Sequence, residues 1–215
     1  MTQLIICLCE KSAASMWYCM GRDVDRHTFS AEDFTRFCQS LKTETALLAQ
    51  YLQEGRFSED PQPTIGYELE GWILDHRYVP AAKNEIFLNS LQHPRVVPEL
   101  SRFNMEINGE PRALAQGALR AMQNEMQQTW NECQQAAHAH GLILLLIGTL
   151  PTVRESDLSL KNISRMNRYY ALNERIFEER GGEPVHIAID GVESLDLYHE
   201  DCLLEAGTTS FQLHL

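Results

Sequence analysis

From Thr64 to Leu74 the chain reads TIGYELEGWIL, and the character of its side chains alternates. Ile65, Tyr67 and Leu69 are apolar and Glu68 and Glu70 fall between them, a period of two that predicts a β-strand with one buried face. Residues two apart on a strand share a face at roughly 6.5–7 Å, so this strand sets two like charges side by side. The same alternation returns three times. In FNMEIN, Phe103, Met105 and Ile107 oppose Asn104, Glu106 and Asn108; in PVHIAID, Val185, Ile187 and Ile189 oppose His186, Ala188 and Asp190. In SFQLHL, Phe211, Leu213 and Leu215 oppose Gln212 and His214. LILLLIG is apolar throughout and reads as a fully buried strand.

A period of 3.6 marks the helices. Ser30 to Glu54 places Phe34, Phe37, Leu41, Thr45, Leu48 and Leu52 on one face, with Ser30 and Asp33 at capping-box spacing and Gly55 to end it. RFSEDPQP then breaks the chain before the first strand. A second helix is predicted from about Arg112 to His140, with Leu119, Met122, Met126, Cys133 and Ala137 as its buried stripe and Gly141 as terminator. A third runs from about Ser164 to Glu179 and stops at Gly181-Gly182.

Four strands with one apolar and one polar face predict an α+β fold: a mainly antiparallel sheet, helices packed on its apolar face, and a cup lined by carboxylates and imidazoles on the other. Residues 1–29 are expected to be a poorly organised N-terminal segment, with Met16 or Met20 an alternative start, and residues 30–215 a single domain.

Charge narrows the partners. Acidic residues outnumber basic ones 30 to 18, a net charge of −12, which argues against nonspecific binding to nucleic acid or to an anionic membrane. The six cysteines form no CxxC pair and no zinc spacing. The apolar run LIICLC is too short for a signal-peptide core or a membrane span, so a cytoplasmic protein with reduced thiols is expected. GxGxxG, GxxxxGK[ST] and G-x-S-x-G are all absent.

Glu68, Glu70 and Glu106 with a histidine on one sheet face suit a hard divalent cation, and Mg²⁺ commonly bridges protein carboxylates to substrate phosphates. An ordinary solvated sheet face carries the same residue types, so both readings stand on pattern alone. A glycosidase pair fits less well, because neighbours on one strand cannot flank a sugar bond. His138 and His140 read as a helix end, and Arg165, Arg168 and Arg175 as a helix flank from which one guanidinium could reach a phosphate.

Five segments, in order, resemble the glutamate–cysteine ligase type 2 family of carboxylate–amine ligases: TIGYELEG, SRFNMEIN, GTLPT, NRYYALNE and TTSFQLHL. The resemblance implies a catalytic fold like that of glutamine synthetase, a curved antiparallel sheet that binds ATP and Mg²⁺ or Mn²⁺. It implies a reaction in which a carboxylate is phosphorylated and an amine then attacks the acyl phosphate. By motif position, Glu68, Glu70 and Glu106 would be metal ligands, His214 a metal or nucleotide contact, and Arg168 a phosphate or substrate contact. Gly148-Thr149-Leu150-Pro151 stands where many members carry G-T-H-P, which leaves the amino-acid or carboxylate substrate and its amine open.

Family members continue beyond the position of Leu215. The resemblance therefore implies an N-terminal part, completed by further sequence or by a second chain, with an open sheet edge that favours homo-oligomers. The alternatives are a non-catalytic remnant or interaction module that retains the sheet and, behind it, a two-metal hydrolase on the same carboxylates.

Overall fold

A computed structural model describes residues 23–57 and 62–215. Within it the chain forms two compact units. One contains the N-terminal helix together with Met166–Ala171; the other contains Pro61–Arg165 and Leu172–Leu215. The expectation for residues 1–29 falls largely outside the described residues, as do Cys7, Cys9 and Cys19.

In the first unit, α1 spans Ala31–Gln53. Ser30 caps it: its hydroxyl accepts the Asp33 N–H, and the Asp33 carboxylate accepts the Ser30 N–H at 2.9 Å. The Ser30 N–H, then its hydroxyl, then Arg36 hold the Asp33 carboxyl well below the usual carboxylate range. Gly55 leaves the helix at φ +64°, a left-handed conformation that glycine adopts freely. No residue of α1 is buried: Phe37, Leu41, Leu48 and Leu52 on its apolar stripe are exposed.

The second unit is built on β1 (Thr64–Leu74). On one side it pairs with β3 (Asn104–Asn108) and then with β4 (Arg112–Ala113). On the other it pairs with β8 (Phe211–His214) and β5 (Ile143–Leu145), and β2 (Val96–Pro98) lies outside β3. Every pairing is antiparallel, as the one-sided polarity of the strands predicts.

Helices α2 (Asn84–Leu91) and α3 (Ala118–Ala139) cover the apolar face. Ile65, Tyr67, Leu69 and Ile73 of β1 join Met105 and Ile107 of β3, Phe87 of α2 and Met122, Cys133 and Ala137 of α3 in one core. This α+β arrangement of an antiparallel sheet and helices agrees with the sequence-based expectation. No helix among the described residues is long and apolar enough to cross a membrane.

Two contacts seat β1 on its neighbours. The Gly109 N–H donates to the Tyr67 carbonyl at 2.7 Å, and the Tyr67 ring lies so close to Gly109 that a Cβ there would stand 2.2 Å from it. Behind the ring, Glu125 of α3 bonds Arg112 of β4, meets Arg95 at 3.4 Å and accepts the Glu110 N–H at 2.9 Å. This half-buried cluster ties the β3–β4 end of the sheet to the helix.

Several expectations are corrected. The chain from Arg112 pairs with Thr64–Ile65 as β4, and the second helix starts only at Ala118, after Gly117 at φ +87°. Leu119, in its first turn, is 64% exposed. The run LILLLIG pairs over only three residues, with Leu146 and Ile147 exposed. The third helix, α4, spans Asn167–Glu179.

The largest correction concerns PVHIAID. Strand β6 (Val185–Asp190) does not join the main sheet. It forms a separate two-stranded sheet with β7 (Ser194–His199), so His186 and Asp190 are not part of the polar face of β1.

Candidate functional site

Directly opposed residues in an antiparallel pair point to the same face. The register of β1 with β3 opposes Glu70 to Glu106 and Glu68 to Asn108. Its register with β8 opposes Glu68 to Gln212 and Gly66 to His214. Glu68, Glu70, Glu106, Asn108, Gln212 and His214 therefore share the face of the sheet turned away from α2 and α3.

That face has a closed end. Trp72 follows Glu70 in the same alternation, is fully buried, stacks parallel on Phe103 at 5.6 Å and donates its indole N–H to the Ile147 carbonyl. The next residue of the β3 row, Asn104, is buried as well. The polar row thus runs from a dry aromatic end through half-buried carboxylates to the exposed His214.

Each carboxylate is met differently. The Ser210 N–H and hydroxyl donate to the two oxygens of Glu70 at 2.9 and 2.8 Å, and the Gln212 amide reaches the same carboxylate at 3.3 Å. The Glu70 main-chain N–H donates to the Ser210 carbonyl, so Ser210 grips both backbone and side chain. The Asn108 amide donates to Glu106 at 2.6 Å. The imidazole Nε2 of His214 lies 3.4 Å from Glu68, whose side chain is only 14% exposed.

The sequence-predicted residues Glu68, Glu70, Glu106 and His214 are thus gathered on one face. Arg168 belongs to the other compact unit. There its N–H donates to Asp23 at 2.9 Å, its guanidinium bonds the Tyr169 hydroxyl and lies over the Tyr169 ring, and its Nε is buried without a partner. Ser210 was not singled out from the sequence. It lies in the same alternation as Gln212 and His214, and extending that pattern by one step would have found it.

Among the described residues, no three His, Cys, Asp or Glu side chains converge into a ready-made metal cage. The donor chemistry nevertheless fits a hard divalent cation. Three carboxylates with amide oxygens beside them supply oxygen ligands, and Glu70 is held by neutral donors that a cation could replace without breaking an ion pair.

A family model described as glutamate-cysteine ligase family 2 (GCS2) matches residues 64–188, more than half of the chain. The match takes in Glu68, Glu70, Glu106 and Arg168, and β8 with His214 lies beyond it. No curated protein and no solved structure matches the chain.

Proposed function

Because the chain belongs to glutamate-cysteine ligase family 2, we propose that it carries the sheet of an ATP- and divalent-metal-dependent carboxylate–amine ligase with a glutamine synthetase-like fold. The substrates are small: an amino acid or other carboxylate, and an amine. The reaction forms an amide through an acyl phosphate. In this reading Glu68, Glu70 and Glu106 hold Mg²⁺ or Mn²⁺, His214 contacts the metal or nucleotide, and Arg168 contacts phosphate or substrate. The cation, when bound, neutralises phosphate charge and orients the transfer.

One observation carries the reading: Glu70 and Glu106 directly opposed across β1 and β3, with Glu68 on the same face. Like charges so placed repel. A cation between them turns the repulsion into ligation. Neutral donors on Glu70, the Ser210 N–H and hydroxyl and the Gln212 amide, hold that carboxylate in place without cancelling its charge.

The test is calorimetric titration of ATP in the presence and absence of Mg²⁺, on the wild-type chain and on Glu68→Ala/Glu70→Ala. Binding that requires both the metal and the two glutamates is expected. A well-folded wild-type chain that binds no Mg-ATP favours the second reading, a non-catalytic module retaining the ligase sheet. The absence of a converged carboxylate trio among the described residues is what speaks for that reading.

A further inference from the structure

Ser210 lies one residue before β8, and continuing the register by one step opposes it to Glu70. Its side chain therefore shares the face of Glu68 and Glu70. Its main chain is fixed from two directions. The Glu70 N–H donates to the Ser210 carbonyl at 2.9 Å. Through the residues before it, Thr208 bridges Thr149, and Thr209 donates its N–H to the Gly148 carbonyl and its hydroxyl to the Ile147 carbonyl, both at 2.8 Å. The same Ile147 carbonyl accepts the Trp72 indole N–H at 3.0 Å. Backbone contacts that reach the dry aromatic end of the face thus place Ser210, whatever the Glu70 carboxylate does.

The donors on that carboxylate are divided unequally. Oε2 accepts one, the Ser210 N–H at 2.9 Å. Oε1 accepts two, the Ser210 hydroxyl at 2.8 Å and the Gln212 amide at 3.3 Å. The Gln212 amide also donates to the Ser210 hydroxyl oxygen at 3.1 Å, which leaves the hydroxyl proton aimed at Oε1. A carboxylate oxygen has about two lone-pair sites. Oε1 is filled, and Oε2 keeps one site open.

A carboxylate in this state offers a cation one oxygen. Mg²⁺ demands near-ideal octahedral geometry at about 2.0–2.1 Å, whereas Ca²⁺ sits at about 2.3–2.6 Å and takes carboxylates through one oxygen or both. Blocking Oε1 removes the chelating mode that only the larger ion uses well.

We propose that Ser210 is a positioning and specificity-determining residue for the cation: its hydroxyl blocks Oε1, so that Glu70 ligates through Oε2 alone and the face favours a small octahedral cation over Ca²⁺. This rests on the reading of Glu70 as a ligand given above.

Mn²⁺ serves as the probe, because the free ion is counted directly by its paramagnetic resonance signal, and Ca²⁺ is titrated in competition with it. The full chain is compared with Ser210→Ala, Ser210→Thr and Glu70→Ala. Ser210→Ala is expected to weaken Mn²⁺ binding by about tenfold, as loss of a hydrogen-bond partner of a metal ligand does. Its affinity for Ca²⁺ is expected to fall less, so that the preference for Mn²⁺ narrows. Ser210→Thr keeps the hydroxyl and is expected to restore both affinities. Glu70→Ala is expected to lose most of the Mn²⁺ binding.

Two failures are distinguishable. If Glu70→Ala loses Mn²⁺ but Ser210→Ala binds it as the wild type does, or loses Mn²⁺ and Ca²⁺ by the same factor, the role of Ser210 is overturned and Glu70 remains a ligand. If the wild type binds no Mn²⁺, or Glu70→Ala binds it equally well, the ligand reading falls and the role of Ser210 falls with it. Melting in chelator checks that each variant keeps its fold.

Discussion

Glu70 and Glu106 stand directly opposite each other on the antiparallel neighbours β1 and β3, and both are partly shielded from water. Opposed carboxylates in this position cost stability that a glutamine would not, by a few tenths of a kcal/mol up to about 1 kcal/mol. Glu106→Gln is expected to change the stability of the metal-free protein by no more than about 1 kcal/mol and to lose the rise in melting temperature expected of the wild type in Mg²⁺. Thermal melts in chelator and in Mg²⁺ measure both effects. An equal Mg²⁺ response in the two proteins would remove this pair as the seat of a cation.

Gly109 gives a prediction about space. The Tyr67 ring occupies the position where a Cβ would project, at 2.2 Å, and Tyr67 is itself buried with little room to retreat. Gly109→Ala is expected to cost about 2 kcal/mol or more in urea unfolding. Much of that loss is expected to disappear in the Tyr67→Leu background. If the cost is the same in both backgrounds, the ring is not its cause.

A third prediction concerns alkaline pH. Burial, and secondarily Glu132, pushes the Cys133 thiol up to about 12. Burial also raises the Tyr67 hydroxyl, with Arg95 and Arg112 pulling it partly back. Both groups are neutral when folded but ionise once unfolded, at about 8.5 for a thiol and about 10 for a phenol. Their contribution to stability is therefore full below about pH 8 and is lost as pH rises towards the folded values. Urea midpoints should fall from about pH 9 upward, and the fall should be shallower in Cys133→Ala. Parallel slopes in the two proteins would show that the thiol plays no part.

The polar face was legible because a strand's period of two is strict. Once Ile65, Tyr67 and Leu69 are buried, Glu68 and Glu70 must share the other face, and the same logic holds for Glu106 and His214. The capping box of α1 was legible for a similarly local reason. Alternation says which face a residue takes but not which strand lies beside it. PVHIAID therefore read as a strand of the main sheet, although the turn after Asp190 supplies it with a nearer partner in Ser194–His199. LILLLIG is apolar enough for a long strand, but only Trp72–Leu74 of β1 is available to it beyond the stretch that β8 occupies. Leu119 fits a buried helical stripe by spacing, yet the helix begins one residue before it, and that first turn is exposed. Arg168 had no pattern to link it to any glutamate.

The layout of β1 has a consequence for how the protein is made. Residues 64–74 acquire their β3 edge from chain synthesised some thirty residues later, but the opposite edge beside Tyr67 and Glu70 waits for residues 210–214. Ser210 lies 140 positions beyond Glu70. At about 5–20 residues per second, a ribosome takes on the order of ten seconds to supply that neighbour. During this interval the nascent chain holds a half-finished sheet whose central strand has one edge bare. A chaperone that binds unpaired strand edges, engaged between the emergence of β3 and that of β8, would meet its substrate there.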